Sequence, residues 1–270
     1  MSFIKKLAAQ FLPRPWLLWL KAIYHTKEAT KFWEPDADPI KCLIRPGDTV
    51  VDLGANYGEY TFLLANLTGE EGKVYAVEPV PETFQILSEV VRRLCLRNVE
   101  LFNYAVSEKD GWASMDIPLH QYGGSNFYMA RIVSKESSPN PLASFVVLCR
   151  SLDSLLLNRL ATAVSFLKCD VEGHELAVLK GASRFFERNK PAMMIEVAGT
   201  AEMQDSPNNE FFSIMKGYGY KPYWYDGKKL RERKRGQWSV NYFFLQPVHI
   251  TELSHLLDEE VTSFSQNSFP

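Results

Sequence analysis

Short apolar runs alternate with helix-patterned stretches along most of the chain. Residues 49–53 (TVVDL), 73–78 (KVYAVE), 99–104 (VELFNY), 163–169 (AVSFLKC) and 192–197 (AMMIEV) read as strands. Residues 58–67, 81–94, 172–187 and 208–217 have helical spacing and follow four of these runs. Continuous apolar strands between helices predict βαβ units around a parallel sheet buried on both faces. The crossovers should be right-handed. Residues 220–225 and 240–246 read as two closing strands with a turn between them, an antiparallel end to the sheet. Residues 112–117 and 144–149 read as strands on either side of a long loop, and no internal repeat is visible. The expected fold class is α/β: a doubly wound, mostly parallel Rossmann-like sheet with an antiparallel C-terminal strand and N-terminal helices. The expected organisation is a helical extension over 1–44, one α/β domain over 45–250, and a short helix with a disordered, Ser-rich tail over 251–270.

The first residues change this picture slightly. MSFIKKLAAQFLPRPWLLWLKAIYH starts with a basic pair, but Gln10, Pro13, Arg14 and Pro15 cut its apolar stretch and Lys21 ends the next one. No small-residue cleavage site follows, so it is not read as a signal peptide. Two short helices hinged at Pro13-Arg14-Pro15 are expected. Trp16 and Trp19 among leucines, flanked by cations, suit a membrane interface, or a helix packed on the domain or on a second subunit of a homo-oligomer. No run of 18 apolar residues exists to span a bilayer.

Composition and charge then exclude several classes. With 46% hydrophobic and 23% charged residues, the chain is neither disordered nor fibrous. Its net charge of −2 argues against a nucleic-acid partner. Charge is uneven, however: residues 1–31 carry six Lys/Arg and one acid, Glu28. Residues 228–236 (KKLRERKRG) carry six basic residues against one acid. That run reads as a solvated turn, or as an attractor of phosphate or an anionic membrane. The four cysteines have no C-x-x-C spacing, so no metal site is expected from them. Cys149 and Cys169 lie in apolar contexts and read as buried thiols in a reducing compartment. A cytoplasmic protein, peripheral at a membrane at most, is expected.

Ligands of open α/β sheets bind beyond the carboxyl ends of the strands. There the first strand leads into Asp52-Leu53-Gly54-Ala55-Asn56-Tyr57-Gly58. This is a tight turn or a nucleotide loop with Asn56, a residue that tolerates a left-handed backbone, at its centre. Glu78-Pro79 follows the second strand, 20 residues past Gly58. A carboxylate at that spacing can accept hydrogen bonds from a ribose diol. Ala105 follows the third strand, where an adenine ring would meet backbone amides. Asp170, Glu172, His174 and Glu175 crowd the end of the fourth strand. Asp170 could simply cap the following helix, yet Gly173 in a first helical turn costs about 1 kcal/mol and suggests close approach to the backbone. Glu196 ends the fifth strand inside an apolar run, as a partnered buried acid or a site residue.

VVDLGANYGEYTFLLA (50–65), GKVYAVEPVPETF (72–84), NYAVSEKDG (103–111), FLKCDVEGHELAVLKGA (166–182) and KPAMMIEV (190–197) together resemble the FkbM-type family of S-adenosylmethionine-dependent methyltransferases. The resemblance spans roughly residues 45–246 and implies the class I methyltransferase fold. It also implies S-adenosyl-L-methionine as cofactor and methylation of a hydroxyl on a sugar, glycan or secondary metabolite. Asp52, Gly54, Ala55, Asn56, Tyr57, Gly58, Glu78, Pro79, Ala105 and Asp170 would hold the cofactor. Asp170 and His174 are the candidate bases, with Glu172 and Glu196 orienting them. Asp170 and Glu196 could instead hold Mg²⁺. Residues 118–143 would form a lid carrying His120, Tyr122 and Asn126 toward a sugar, or a surface insert. The basic segments make a phosphorylated or lipid-linked acceptor conceivable. An NAD-dependent oxidoreductase and a non-catalytic nucleotide-binding module remain alternatives.

Overall fold

The computed structural model describes residues 12–117, 131–133, 144–197 and 207–258. The chain opens with helices α1 (Arg14–Thr30) and α2 (Ala37–Leu43). Strand β1 (Thr49–Leu53), helix α3 (Glu59–Thr68), strand β2 (Lys73–Val77), helix α4 (Pro81–Arg93) and strand β3 (Val99–Phe102) follow. Strands β4 (Ala105–Val106), β5 (Gly111–Asp116), β6 (Arg131–Val133) and β7 (Ser144–Arg150) come next, then helix α5 (Leu152–Leu156). Strand β8 (Val164–Cys169), helices α6 (Glu175–Lys180) and α7 (Ser183–Arg188), strand β9 (Ala192–Glu196) and helix α8 (Pro207–Gly217) rebuild the βα alternation. Strands β10 (Lys221–Tyr225), β11 (Leu230–Glu232) and β12 (Asn241–Leu245) and helix α9 (Pro247–Glu252) close the domain.

The main sheet has eight strands in the order β3-β2-β1-β8-β9-β12-β10-β11. β3, β2, β1, β8 and β9 pair in parallel, and β12, β10 and β11 add antiparallel pairs. The apolar runs produce this arrangement because β1, β8 and β9 are buried along nearly their whole length. One face carries a cluster around Leu152, Phe185 and Phe211; the other carries Ile40, Leu64 and Leu253. The mostly parallel α/β sheet with an antiparallel C-terminal end is as expected.

Three features depart from the sequence reading. β4, β7, β5 and β6 form a second, four-stranded sheet beside the strand ends, with Met115, Val147 and Cys149 turned inward. The stretch expected as one helix over 172–187 is two. Asp153 accepts hydrogen bonds from the backbone N–H groups of Arg184 (3.1 Å) and Phe185 (2.7 Å), and so starts α7 separately. The basic run 228–236 is not a simple turn: it contains β11, with Leu230 fully buried. Its Arg231 pairs with Asp226 and Asp258, and Lys229 donates to the His255 carbonyl. Leu253 and Leu257, in the short helical stretch expected before the tail, reach the core.

α1 starts at Arg14 just after Pro13 and runs on to Thr30 as one 17-residue helix. The expected partner helix before Pro13, the lid residues His120, Tyr122 and Asn126, and the tail from 259 lie outside the described residues. Cys149 and Cys169 are buried, and all four cysteines are unpaired.

β1 and β8 leave the sheet so close together that a Cβ on Gly54 would overlap the Asp170 carbonyl oxygen, and Gly54 has φ of 75°. Gly54→Ala therefore combines left-handed backbone strain with overpacking, about 2–3 kcal/mol. The melting temperature should fall by roughly 5–10 °C for a domain of this size. An unchanged thermal melt would show that the two loops separate freely.

Candidate functional site

The strand ends meet around one buried cation. Asp52 and Lys168 are register partners on β1 and β8. The Lys168 side chain is 5% exposed, and its Nζ lies 3.7 Å from Asp52 Oδ1. The same ammonium donates to the Gly54 carbonyl (3.0 Å) and to Asp170 Oδ2 (3.2 Å), and sits 5.2 Å from the Tyr60 ring centre. Burial works against the Lys168 charge, but Asp170 and Asp52 outweigh it and hold its pKa above the ordinary lysine value. Thr61 Oγ1 donates to Asp52 Oδ2 at 2.6 Å. Burial pushes the Asp52 carboxyl up, while Lys168 and Thr61 oppose it.

Glu78 stands one residue past β2 and is buried. Its Oε2 accepts the Asn56 N–H and its Oε1 accepts the Val80 N–H, both at 2.9 Å. Burial raises its pKa to about 7, although both N–H groups pull it down. Asn56 has φ of 50°, the left-handed backbone its residue type tolerates. Asn103 Nδ2 braces the turn by donating to the carbonyls of Glu78 (2.8 Å) and Pro79 (3.1 Å).

Beyond these loops lies a cleft of about 610 Å³, counting its open mouth. Gly54, Asn56, Glu78, Pro79 and Ala105 line one part of it, and Asp170, Glu172 and His174 line another. Tyr104, Met115 and Ile132 also line it, the last two from the second sheet. Asp52, Ala55, Tyr57 and Gly58 are not in the lining. Asp52 lies beneath it, Tyr57 stacks on His25 of α1 at 3.8 Å, and Gly58 precedes α3.

The acidic end is arranged differently from a capped helix. Asp170 does not cap α6, which starts at Glu175 with His174 in the cap position. Glu175 Oε1 instead accepts the N–H groups of Val171 (3.3 Å) and Gly173 (3.1 Å). Gly173 lies before the helix with φ of 88°, and nothing comes within 4 Å of where its Cβ would be. Its backbone conformation, rather than a close neighbour, calls for glycine there. Glu172 also has a left-handed φ, 54°.

Glu196 stands beside Asp170, so the structure brings together the two acids expected at neighbouring strand ends. Burial and then the Asp170 charge and hydrogen bond push Glu196 up to about 8. Burial, with Asp170 and Glu175 nearby, pushes Glu172 up to about 7. His174 Nε2 lies 2.8 Å from Ser107 Oγ, and burial lowers its pKa, favouring the neutral ring. Among the described residues, no group of three or more His, Cys, Asp or Glu side chains is assembled for a metal ion. Lys168, Thr61 and Ser107 were missed in the sequence. Lys168 was legible as a lysine inside an apolar strand; Ser107, 67 residues from His174, left no local signal.

The sequence pattern described as Methyltransferase FkbM domain matches residues 52–222. A protein-L-isoaspartate O-methyltransferase of Methanocella arvoryzae is 37% identical over 59 residues, covering 22% of this chain and 31% of that protein. Among solved structures, a methyltransferase FkbM of Methylobacillus flagellatus aligns at 18% identity with a TM-score of 0.46, over 75% of this chain and 48% of that one. A SAM-dependent methyltransferase of Aquifex aeolicus aligns at 19% identity with a TM-score of 0.41, over 80% of this chain and 92% of that one. The chain thus spans about a third of the curated relative's length and under half of the first solved structure's. The family pattern covers more than half of the chain and every strand end around the cleft, and this chain belongs to the FkbM-domain family of methyltransferases.

Proposed function

We propose that this chain uses S-adenosyl-L-methionine to methylate a hydroxyl oxygen of a sugar, glycan or other small-molecule acceptor. The observation that carries the reading is a cleft with Glu78 in its wall at one part and Asp170 and His174 at the other, Glu196 standing beside Asp170. Family membership favours methyl transfer over the dehydrogenase and binding-module alternatives. The unpaired cysteines support a cytoplasmic setting.

The cofactor supplies an electrophilic sulfonium methyl when bound. Glu78 accepts the ribose hydroxyls with oxygens already oriented by Asn56 and Val80. Ala105 and Pro79 offer apolar contact to the base. Glu196, pushed up to about 8, holds its proton at neutral pH. The Lys168 ammonium lies 3.2 Å from Asp170, whereas Glu196 faces Asp170, Glu172 and Glu175. The Asp170 carboxyl, or the neutral His174 ring held by Ser107, takes the hydroxyl proton as the oxygen attacks. The crowd of acids at this end favours an uncharged acceptor group there. A phosphorylated or lipid-linked acceptor would carry its phosphate elsewhere. Asp170 and Glu196 are the two carboxylates that would hold Mg²⁺, and among the described residues no third His, Cys, Asp or Glu side chain joins them.

Calorimetric titration with S-adenosylhomocysteine, beside NAD⁺, tests the cofactor. Wild type should bind the former alone. Glu78→Gln should weaken binding about 10–100-fold, the loss of a charge-assisted hydrogen bond. Ribose hydroxyls favour the ionised carboxyl, whose pKa in the free protein is about 7. Affinity should therefore rise with pH up to about 7, level off above it, and stay flat in Glu78→Gln. Binding of NAD⁺ alone would overturn the reading.

With an acceptor from a glycan screen, one of Asp170→Asn and His174→Ala, the one that removes the base, should lower kcat by roughly 10²–10⁴. Affinity for S-adenosylhomocysteine should change only slightly in His174→Ala. Full turnover in both variants would remove both from the chemistry.

A further inference from the structure

α1 presents two opposite stripes. Ala22, His25 and Ala29 are buried against the domain, and Leu18 packs in the same cluster with Tyr57, Ile86 and Val90. The opposite stripe, at helical spacing, is Trp16, Leu20, Tyr24, Lys27 and Lys31. The outward face of a surface helix is normally polar. Here Trp16 is 58% exposed, Leu20 44% and Tyr24 54%. Trp19, 43% exposed, stands edge-on to Trp16 with ring centres 6.0 Å apart. Lys27 and Lys31 are exposed at the other end of the stripe. Lys5 and Lys6 precede the helix in sequence, and Glu28 is the lone acid among residues 1–31.

We propose that α1 is a membrane-surface anchor that lays Trp16, Leu20 and Tyr24 into the headgroup boundary of an anionic bilayer. Trp and Tyr suit that boundary because their rings are apolar with one polar edge. The lysines add attraction to anionic headgroups. No described helix is long and apolar enough to cross the membrane, so the contact is peripheral. A two-fold contact between copies through this face would double its positive charge in one place; an anionic surface neutralises it.

The inner stripe ties this anchor to the cleft. His25 Nδ1 lies 3.4 Å from Glu59 Oε1, and Lys21 Nζ donates to Glu82 Oε1 at 2.7 Å. Glu59 and Glu82 open α3 and α4, at the strand ends where the cleft lies. On the methyltransferase reading, docking through α1 brings the cleft's end of the sheet toward the bilayer, within reach of an acceptor that carries a lipid tail.

The test is cosedimentation of the full chain with vesicles of phosphatidylcholine alone, or of phosphatidylcholine and phosphatidylglycerol in equal parts. Wild type should sediment with the mixed vesicles and far less with the neutral ones. Trp16→Ser/Leu20→Ser/Tyr24→Ser should lower the bound fraction about tenfold or more. Lys27→Glu and Lys31→Glu should each weaken binding to the mixed vesicles at least about fivefold. These side chains are exposed, so thermal melts should match wild type; Trp16→Ser alone serves if the triple variant does not fold. No sedimentation of wild type, or sedimentation indifferent to the substitutions, would overturn the proposal. So would a dimer in analytical ultracentrifugation that the apolar substitutions split, with no vesicle binding. Titration with S-adenosylhomocysteine in solution does not depend on α1's outer face, so failure here leaves the cofactor reading intact.

Discussion

The Lys168 ammonium sits where β1 and β8 leave the sheet, between Asp52, Asp170 and the Gly54 carbonyl. A buried ammonium is costly unless charged and polar partners replace water. Lys168 finds its partners on both strands, so its presence requires the two loops to stay together. Gly54 permits that approach because it has no Cβ to meet Asp170. The position of Asp170 in the cleft therefore depends on an interaction just beneath the cleft's surface.

The same packing leaves several carboxyls in poor company with water. Glu78 and Glu172 are raised to about 7 and Glu196 to about 8. For each, the folded pKa exceeds the ordinary glutamate value of 4.5. Between that value and about 8 the folded chain holds protons the unfolded chain has released, so these groups cost stability as pH rises through the window. Glu172 and Glu196 are partly open to solvent, which reduces their share. Asp110 and Asp226 act oppositely: hydrogen bonds hold both at about 2, and their contribution is lost only in strong acid.

The segment before the family match is not a loose appendage. Family residues begin at 52, yet His25 of α1 stacks on Tyr57 in the loop after β1. Glu34 accepts a hydrogen bond from Tyr60 at 2.6 Å, and Tyr60 in turn covers Lys168. Asp36 accepts from Asn241, the register partner of Glu196. The N-terminal region thus braces the loop after β1 and the β9–β12 side of the sheet from outside.

What the sequence determined by itself was local. Apolar runs and helical spacing located the five parallel strands and most helices, because burial on two faces or one leaves its own periodicity in the residue order. The glycine loop, Glu78 and the acids after β8 were legible because each lies at a strand end. Tertiary structure decided what depended on distant partners. Asp153 splits the helix at 172–187, the short strands β4 to β7 pair across long separations, and Ser107 meets His174. Whether Asp52 faces a ligand or Lys168 was likewise set by the β1–β8 register. Side-chain periodicity shows which face is buried, but partner choice follows from how the strands align, and no run of neighbouring residues encodes that.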